Sequence, residues 1–297
     1  MNVEGNKSTE YTPKDLYWGL TNMNVVAFNP NNATKQELGL YVANPEDEDD
    51  YLIREQDTNK VLGAKFQFIL KYASQSPTDD RDMNIIPVTF WVKAEQANYA
   101  SGWTEYCNNS GATVIVQDKS QLEDPKYSWF MDEGNVRVTL KGEGQLLQFM
   151  NNFFDIKKGA ACSIPVADYK NKYFKGQFDD FRNLVDGYPD NKIKCLLGIK
   201  EYTTKDGEIK YLQDVVNSFF FRHWSKGDKL FKQLEMNVTR YQKSDPKYQL
   251  IIPELPCDLA MWNPKLLNQD APGADEDPFG SADTDAKQAA ESEWADL

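Results

Sequence analysis

Residues 65–72 read KFQFILKY, with Phe66, Phe68, Leu70 and Tyr72 set against Lys65, Gln67 and Lys71. Successive strand side chains point to opposite faces, so this spacing predicts a β-strand with one face in a core and one in water. The alternation returns at 85–93, where Val88, Phe90 and Val92 face inward and Thr89, Trp91 and Lys93 outward. It returns again at 136–141, with Val136, Val138 and Leu140 opposite Arg137, Thr139 and Lys141. A short strand is expected at 113–117, and two more at 194–202 and 209–216, joined by a turn at Asp206-Gly207. Period two gives way to a helical stripe at 143–154 (Leu146, Leu147, Phe149, Met150, Phe153, Phe154) and again at about 226–243.

The remaining stretches connect these elements. Residues 16–28 are apolar and β-branched, Asn29-Pro30-Asn31-Asn32 ends the run as a turn, and 33–40 suits a short helix capped by Asn32. Residues 74–84 are a polar loop, 97–109 are rich in aromatics and turn formers, and 157–192 are irregular. Residues 247–256 read as extended, and Trp262 and Leu266 can fold back on the body. The expected organisation is a flexible 1–15, one β-rich domain over 16–266, and an acidic tail over 267–297. No internal repeat is visible.

Charge is segregated along the chain. The total is −13, yet 270–297 hold nine acids against Lys287 alone, and 46–57 carry seven acids against Arg54. Residues 157–243 hold seventeen Lys and Arg against eleven acids. A moderately basic body between two acidic blocks suits a polyanion partner with internal competitors. The tail has too little apolar surface to offset the entropy of ordering it, so disorder is its expected state.

Sites for catalysis and metal binding find little support. His223 is the single histidine and lies in the aromatic run 219–224; no phosphate-cradling glycine loop is present. Cys107, Cys162, Cys195 and Cys257 are scattered, which suits free thiols in a reducing compartment and not a zinc site. No secretory segment is evident at the start, no run of about twenty apolar residues occurs, and a cytoplasmic, non-enzymatic protein without metal or cofactor is expected.

Single-strand binding needs cations that follow phosphates and rings on which bases stack. Tyr169, Lys170, Lys172, Tyr173, Phe174 and Lys175 interleave three rings with three lysines inside eight residues. Arg222 and Trp224 are a second candidate pair. The outward Lys65, Lys71, Trp91, Lys93, Arg137 and Lys141 complete a groove if their faces converge. The acidic loop at 78–82 counts against ligand there.

Three resemblances bear on these residues. The tail places Phe279 and Trp294 in acidic surroundings and ends Glu-Trp-Ala-Asp-Leu. In this it resembles tailed-phage and bacterial single-stranded DNA-binding proteins, whose acidic tails carry an aromatic or apolar tip. The opening run 16–40 is similar to the start of proteins from large tailed phages. The order strand, strand, strand, helix, strand, strand over 60–217 resembles an OB-fold, a five-stranded barrel with its helix after strand three. Together they imply a mainly β (α+β), OB-like barrel with insertions that binds single-stranded DNA in phage replication or recombination. The tail would compete for the groove and recruit replication proteins through Phe279, Trp294 and Leu297. The alternative is a phage structural or adaptor protein that binds only protein.

Overall fold

A computed structural model describes residues 15–42, 51–74, 77–79, 81, 83, 85–99, 102–132, 136–155, 169–204, 206–221, 249–251 and 259–262. In chain order these form β1 (Leu16–Phe28), α1 (Asn32–Glu37), β2 (Leu52–Arg54), β3 (Val61–Tyr72), β4 (Ile86–Lys93), β5 (Thr104–Cys107) and β6 (Thr113–Val116). Then come α2 (Ser128–Met131), β7 (Arg137–Val138), α3 (Glu143–Phe153), α4 (Asp179–Asp186), β8 (Lys192–Thr203), β9 (Ile209–Phe221), β10 (Gln249–Ile251) and β11 (Ala260–Trp262). The chain divides into two units, Met1–Trp262 and Asn263–Leu297, and every described residue belongs to the first.

The apolar run at 16–28 becomes the middle of the main sheet. Met23 and Asn24 of β1 each have two register partners, Tyr72 and Lys71 on β3, and Ile193 and Lys192 on β8. β4 flanks β3, β9 flanks β8, and all these pairings are antiparallel. β2 and β10 extend the sheet along β3 and β8 beyond the ends of β1, and β11 pairs with the first residues of β1. Along β1 buried Tyr17, Gly19, Thr21, Met23 and Val25 alternate with half-buried Trp18, Leu20, Asn22 and Asn24, so one face meets the core and the other is partly covered.

The inner face carries Met23, Val25, Phe28, Phe66, Phe68, Leu70, Val88, Phe90, Val92, Ile193, Leu197, Val215 and Phe220, all buried. α3 lays Leu146, Leu147, Phe149, Met150 and Phe153 into this surface. Phe149 lies 4.3 Å from Phe68, 5.2 Å from Phe90 and 4.8 Å from Phe220, measured between ring centroids. Phe90 of β4 and Phe220 of β9 are themselves 6.2 Å apart. The sheet therefore curls until its outer strands flank α3. No pairing joins β4 to β9, so the sheet is not closed into a barrel. Each buried phenylalanine contributes about 1.5–3 kcal/mol by leaving water, so the aromatic centre dominates the stability of the curl.

The OB-like expectation is corrected in its third strand. Residues 113–117 and 136–141 do not join the main sheet; they supply β6 and β7 of a separate three-stranded sheet ordered β6-β5-β7. That sheet has its own small core of Val116, Leu122 and Phe130. Thr139, expected outward, is fully buried because its hydroxyl donates to the Glu105 carboxylate at 2.8 Å. Two further elements lie inside 157–192, where no regular structure was expected: a 3-10 turn at Tyr173–Lys175 and α4. α1 is capped one residue earlier than expected, by the Asn31 side chain accepting from the Thr34 amide at 2.9 Å. The Asp206-Gly207 turn forms as expected, with Gly207 at φ +85° and its amide donating to Thr204. The helix expected at 226–243, His223, the acidic run 46–50 and the 1–14 and 267–297 termini lie outside the described residues.

Asn29 joins β1 to the site described next. At φ +40° it leaves the strand direction, and its side chain takes over the ladder on β3. Its amide donates to the Lys65 carbonyl at 3.1 Å and its oxygen accepts from the Gln67 amide at 2.7 Å. Asparagine tolerates this left-handed conformation better than other side-chain-bearing residues. Beyond it, the Lys65 amide donates to the Tyr51 carbonyl at 2.7 Å, and β2 takes up the same edge.

Candidate nucleic-acid interface

Alternation along β3 and β4 sends Lys65, Gln67, Thr89, Trp91 and Lys93 to the face opposite the core. Lys65 and Trp91 are direct register partners, and the Lys65 ammonium lies 5.1 Å from the indole centroid. Trp91 is 52% exposed. Lys93 follows two residues along β4, and its amide donates to the Lys141 carbonyl at 3.0 Å. Lys141 in turn pairs with Glu95 at 3.1 Å; both are exposed, so that pair adds little stability. Gly142 makes the close approach possible. It sits at φ +84°, and a β-carbon there would collide with the Trp91 carbonyl. Only glycine lets the start of α3 press onto β4 at this point. The structure thus brings Trp91, Lys65, Lys93 and Lys141 together.

Lys71 stands apart from that group. It is exposed, but Ile69 between it and Lys65 is fully buried, so the outer face is not bare along β3. Its register partner is Asn24, which also faces Lys192 across β8. Lys192, which the sequence did not single out, makes this a second, separate cationic row.

Arg137 is not available to a phosphate. Its guanidinium forms a two-pronged bond with the Glu143 carboxylate, one arm at 2.9 Å. Glu143 is fully buried and also accepts from the Leu140 amide at 2.8 Å. Bonding to Glu143 raises the Arg137 pKa further, against some desolvation. Removing one partner of such a pair strands a charge and costs about 3–5 kcal/mol. Arg137 was misread because its partner lies six residues later, at the start of a helix.

Around this pair lies a buried polar cluster. Glu105 rests against the first turn of α3, and Gly144 is the residue that leaves it room. Burial raises the Glu105 pKa, and the nearby Glu143 charge adds to the rise, while the Thr139 hydroxyl bond opposes it. Burial also pushes the Cys107 thiol up to about 12, so it stays protonated and unreactive. The Tyr169 hydroxyl is buried without a hydrogen-bond partner, and burial raises its pKa well above the usual value. These groups fasten the β5–β7 insertion to α3.

The ring–lysine loop at 169–176 needs the clearest correction. Tyr173 is 0% exposed and Tyr169 3%. Tyr173 lies 5.3 Å from Phe66, 5.7 Å from Tyr169 and 5.8 Å from Phe178, with the last ring nearly parallel. Phe174 is half-buried beside Tyr169. The rings pin the loop to the core and offer no face to a base. The spacing 169, 173 is that of one turn, which turns rings inward and lysines outward. Lys170 and Lys175 are exposed, and Lys172 pairs with Asp180 at 2.6 Å. Arg222, Trp224, Phe279, Trp294 and Leu297 lie outside the described residues.

Among the described residues no cluster of three His, Cys, Asp or Glu side chains could hold a metal ion, and no helix is long and apolar enough to cross a membrane. The sequence also singled out neither Tyr51, whose carbonyl accepts from the Lys65 amide, nor Lys35, whose ammonium lies 5.3 Å from the Tyr51 ring centroid. A three-residue strand behind an acidic run left no periodicity to find them by. No family model, curated protein or solved structure matches the chain.

Proposed function

We propose that this protein binds single-stranded DNA without sequence preference, as a non-enzymatic factor in phage replication or recombination. The observation that carries the reading is Trp91, half exposed on the outer face of a rigid sheet with Lys65 at 5.1 Å and Lys93 and Lys141 beside it. A flat ring carried on a strand paired along β3 is a stacking platform, and each stacked base contributes about 1–3 kcal/mol. The lysines supply the phosphate contacts. The OB-like reading enters here as a mode of binding, a strand laid over a curved antiparallel sheet. The acidic segment 270–297 acts as a tethered competitor for these lysines and docks replication proteins through its aromatic tip.

Titration with oligo-dT at two salt concentrations, followed by tryptophan fluorescence, tests the reading. Quenching with a salt-sensitive affinity is expected, and Trp91→Ala should weaken binding by about fivefold to a hundredfold. Absence of binding at low salt would overturn it and leave the adaptor reading, in which the chain contacts only protein.

A further inference from the structure

The segment 97–109, rich in rings and turn formers, is not absorbed by the Trp91 site. Its first part folds back as a hairpin. The Tyr99 amide donates to the Trp103 carbonyl at 2.8 Å, and the Gly102 amide to the Tyr99 carbonyl at 2.9 Å. One step below, Asn98 pairs with Thr104, whose hydroxyl donates to the Asn98 side chain at 3.3 Å. Tyr99 and Trp103 are therefore cross-strand partners, and side chains at such positions share one face. Tyr99 is 47% exposed and Trp103 37%. Among the described residues no aromatic ring stacks on either, so both keep a flat face open to water.

Alternation puts Ala97 on the face of Tyr99 and Glu105 on that of Trp103. Burial, and then the Glu105 charge, raise the Tyr99 pKa, in keeping with a ring beside that carboxylate. Ile115, the register partner of Glu105, is also exposed. The hairpin thus shows two rings and an isoleucine on one face.

Paired backbone joins this hairpin to β4. The Lys93 amide donates to the Lys141 carbonyl at 3.0 Å, the Lys141 amide to the Glu95 carbonyl at 2.9 Å, and the Ala97 amide to the Thr139 carbonyl at 2.9 Å. Val92 and Ala97 are both buried, so the alternation slips between them and the ribbon turns its face. Lys93 and Lys141 stand on this ribbon between Trp91 and Tyr99. The Lys141–Glu95 pair is exposed on both sides, and such a pair yields readily to a phosphate. At about 3.3 Å per residue, Trp91 and Tyr99 are at most about 26 Å apart. That span suits the roughly 4–16 nucleotides that one single-strand surface covers. Rings at both ends with cations between them match a chain of bases and phosphates.

We propose that Tyr99 and Trp103 form a second base-stacking site, reached from Trp91 along the ribbon that carries Lys93 and Lys141. This rests on the proposed function and gives it a direction and a minimum length of strand.

The test measures fluorescence anisotropy of labelled oligo-dT, about 4 and about 16 nucleotides long, with the full-length protein. Tyr99→Ala with Trp103→Ala should weaken the longer strand about fivefold or more and leave the shorter within about twofold, since Trp91 still holds it. Trp91→Ala should weaken both. Tyr99→Leu with Trp103→Leu keeps apolar bulk without a flat face and should behave like the alanine pair. Tyr99→Phe with Trp103→Phe keeps two flat faces and should stay within about twofold of wild type at both lengths. Both positions are exposed, so the thermal melts should match wild type closely. Alanine and leucine pairs that bind the longer strand like wild type, while Trp91→Ala still weakens it, overturn the second site and leave the proposed function standing. Equal weakening of both lengths by these pairs also overturns it, because the rings would then act through the fold or the first site. A wild-type protein that binds neither strand removes the function, and the second site with it.

Discussion

Replacing Tyr173 with alanine separates a core ring from a ligand ring. Tyr173 is fully buried, and its ring is ringed by Phe66, Tyr169, Phe178 and Phe181 within 5.9 Å. Truncating a buried aromatic to alanine costs about 3–5 kcal/mol, because the transfer free energy is lost and a cavity remains. That is a large part of the roughly 5–15 kcal/mol that holds a domain folded. For a chain of this size each kcal/mol lowers the melting temperature by about 2–4 °C, so a fall of roughly 6–20 °C is expected. Tyr173→Phe keeps the ring and should cost only about 1 kcal/mol. Urea and thermal unfolding followed by circular dichroism give the stability, and oligo-dT titration well below the midpoint gives the affinity. Affinity should stay within about twofold of wild type, since each stacking contact would otherwise remove about 1–3 kcal/mol. An alanine variant that melts like wild type yet binds oligo-dT tenfold more weakly would refute the core assignment.

Glu105 gives a pH test. Its pKa is raised above the ordinary 4.5 by burial, so its contribution is fully present below the unfolded value and is lost as pH rises through the folded one. Glu105→Gln keeps an acceptor for Thr139 and should be more stable than wild type at neutral pH, with the two converging on acidification; a constant gap at all pH values would refute this. Arg137→Met should strand the buried Glu143 carboxylate and lower stability by about 3–5 kcal/mol, whereas the double change Arg137→Met with Glu143→Leu should recover much of it; urea midpoints decide. Native-state labelling with a thiol reagent should leave Cys107 and Cys195 unmodified until the protein unfolds, as both are buried with thiol pKa values pushed up. Single-cysteine variants that react within seconds under native conditions would contradict their burial. Deleting 270–297 should tighten oligo-dT binding at low salt, and the difference should shrink as salt screens the tail; equal affinities at every salt concentration would end the competitor idea.

The sequence disclosed most where one face alone is buried. β3 and β4 were legible because Phe66, Phe68, Val88 and Phe90 alternate with residues that reach water. β1 was read as an apolar run and left out of the sheet. Its outward positions Trp18 and Leu20 are apolar and half-buried, so the residue types hide the alternation of burial that the strand has. β7 was read as a long strand because Val136, Val138 and Leu140 alternate with polar residues. Thr139 and Glu143 break that reading only through partners at Glu105 and Arg137. The loop 169–176 misled for a third reason: rings and lysines intermixed within eight residues look alike whether the rings stack on bases or anchor a turn. Trp91 was assigned to the outer face by parity alone. Its company, Lys141 delivered by Gly142, depends on a contact fifty residues away in sequence that no local pattern carries.

The position of β1 between β3 and β8 also has a consequence for how the chain is made. β1 can pair with β3 soon after synthesis, since both lie in the first quarter of the chain. Its other edge must wait for β8, about 100 residues after β4 ends. At about 5–20 residues per second that interval is roughly 5–20 s. Throughout it, Gly19 to Asn24 present an unpaired backbone edge, a template on which a second nascent chain could add a strand. Crowded polysomes are therefore where this protein is most exposed to aggregation. A chaperone that covers β1 until β8 emerges is expected to raise the yield of folded chains.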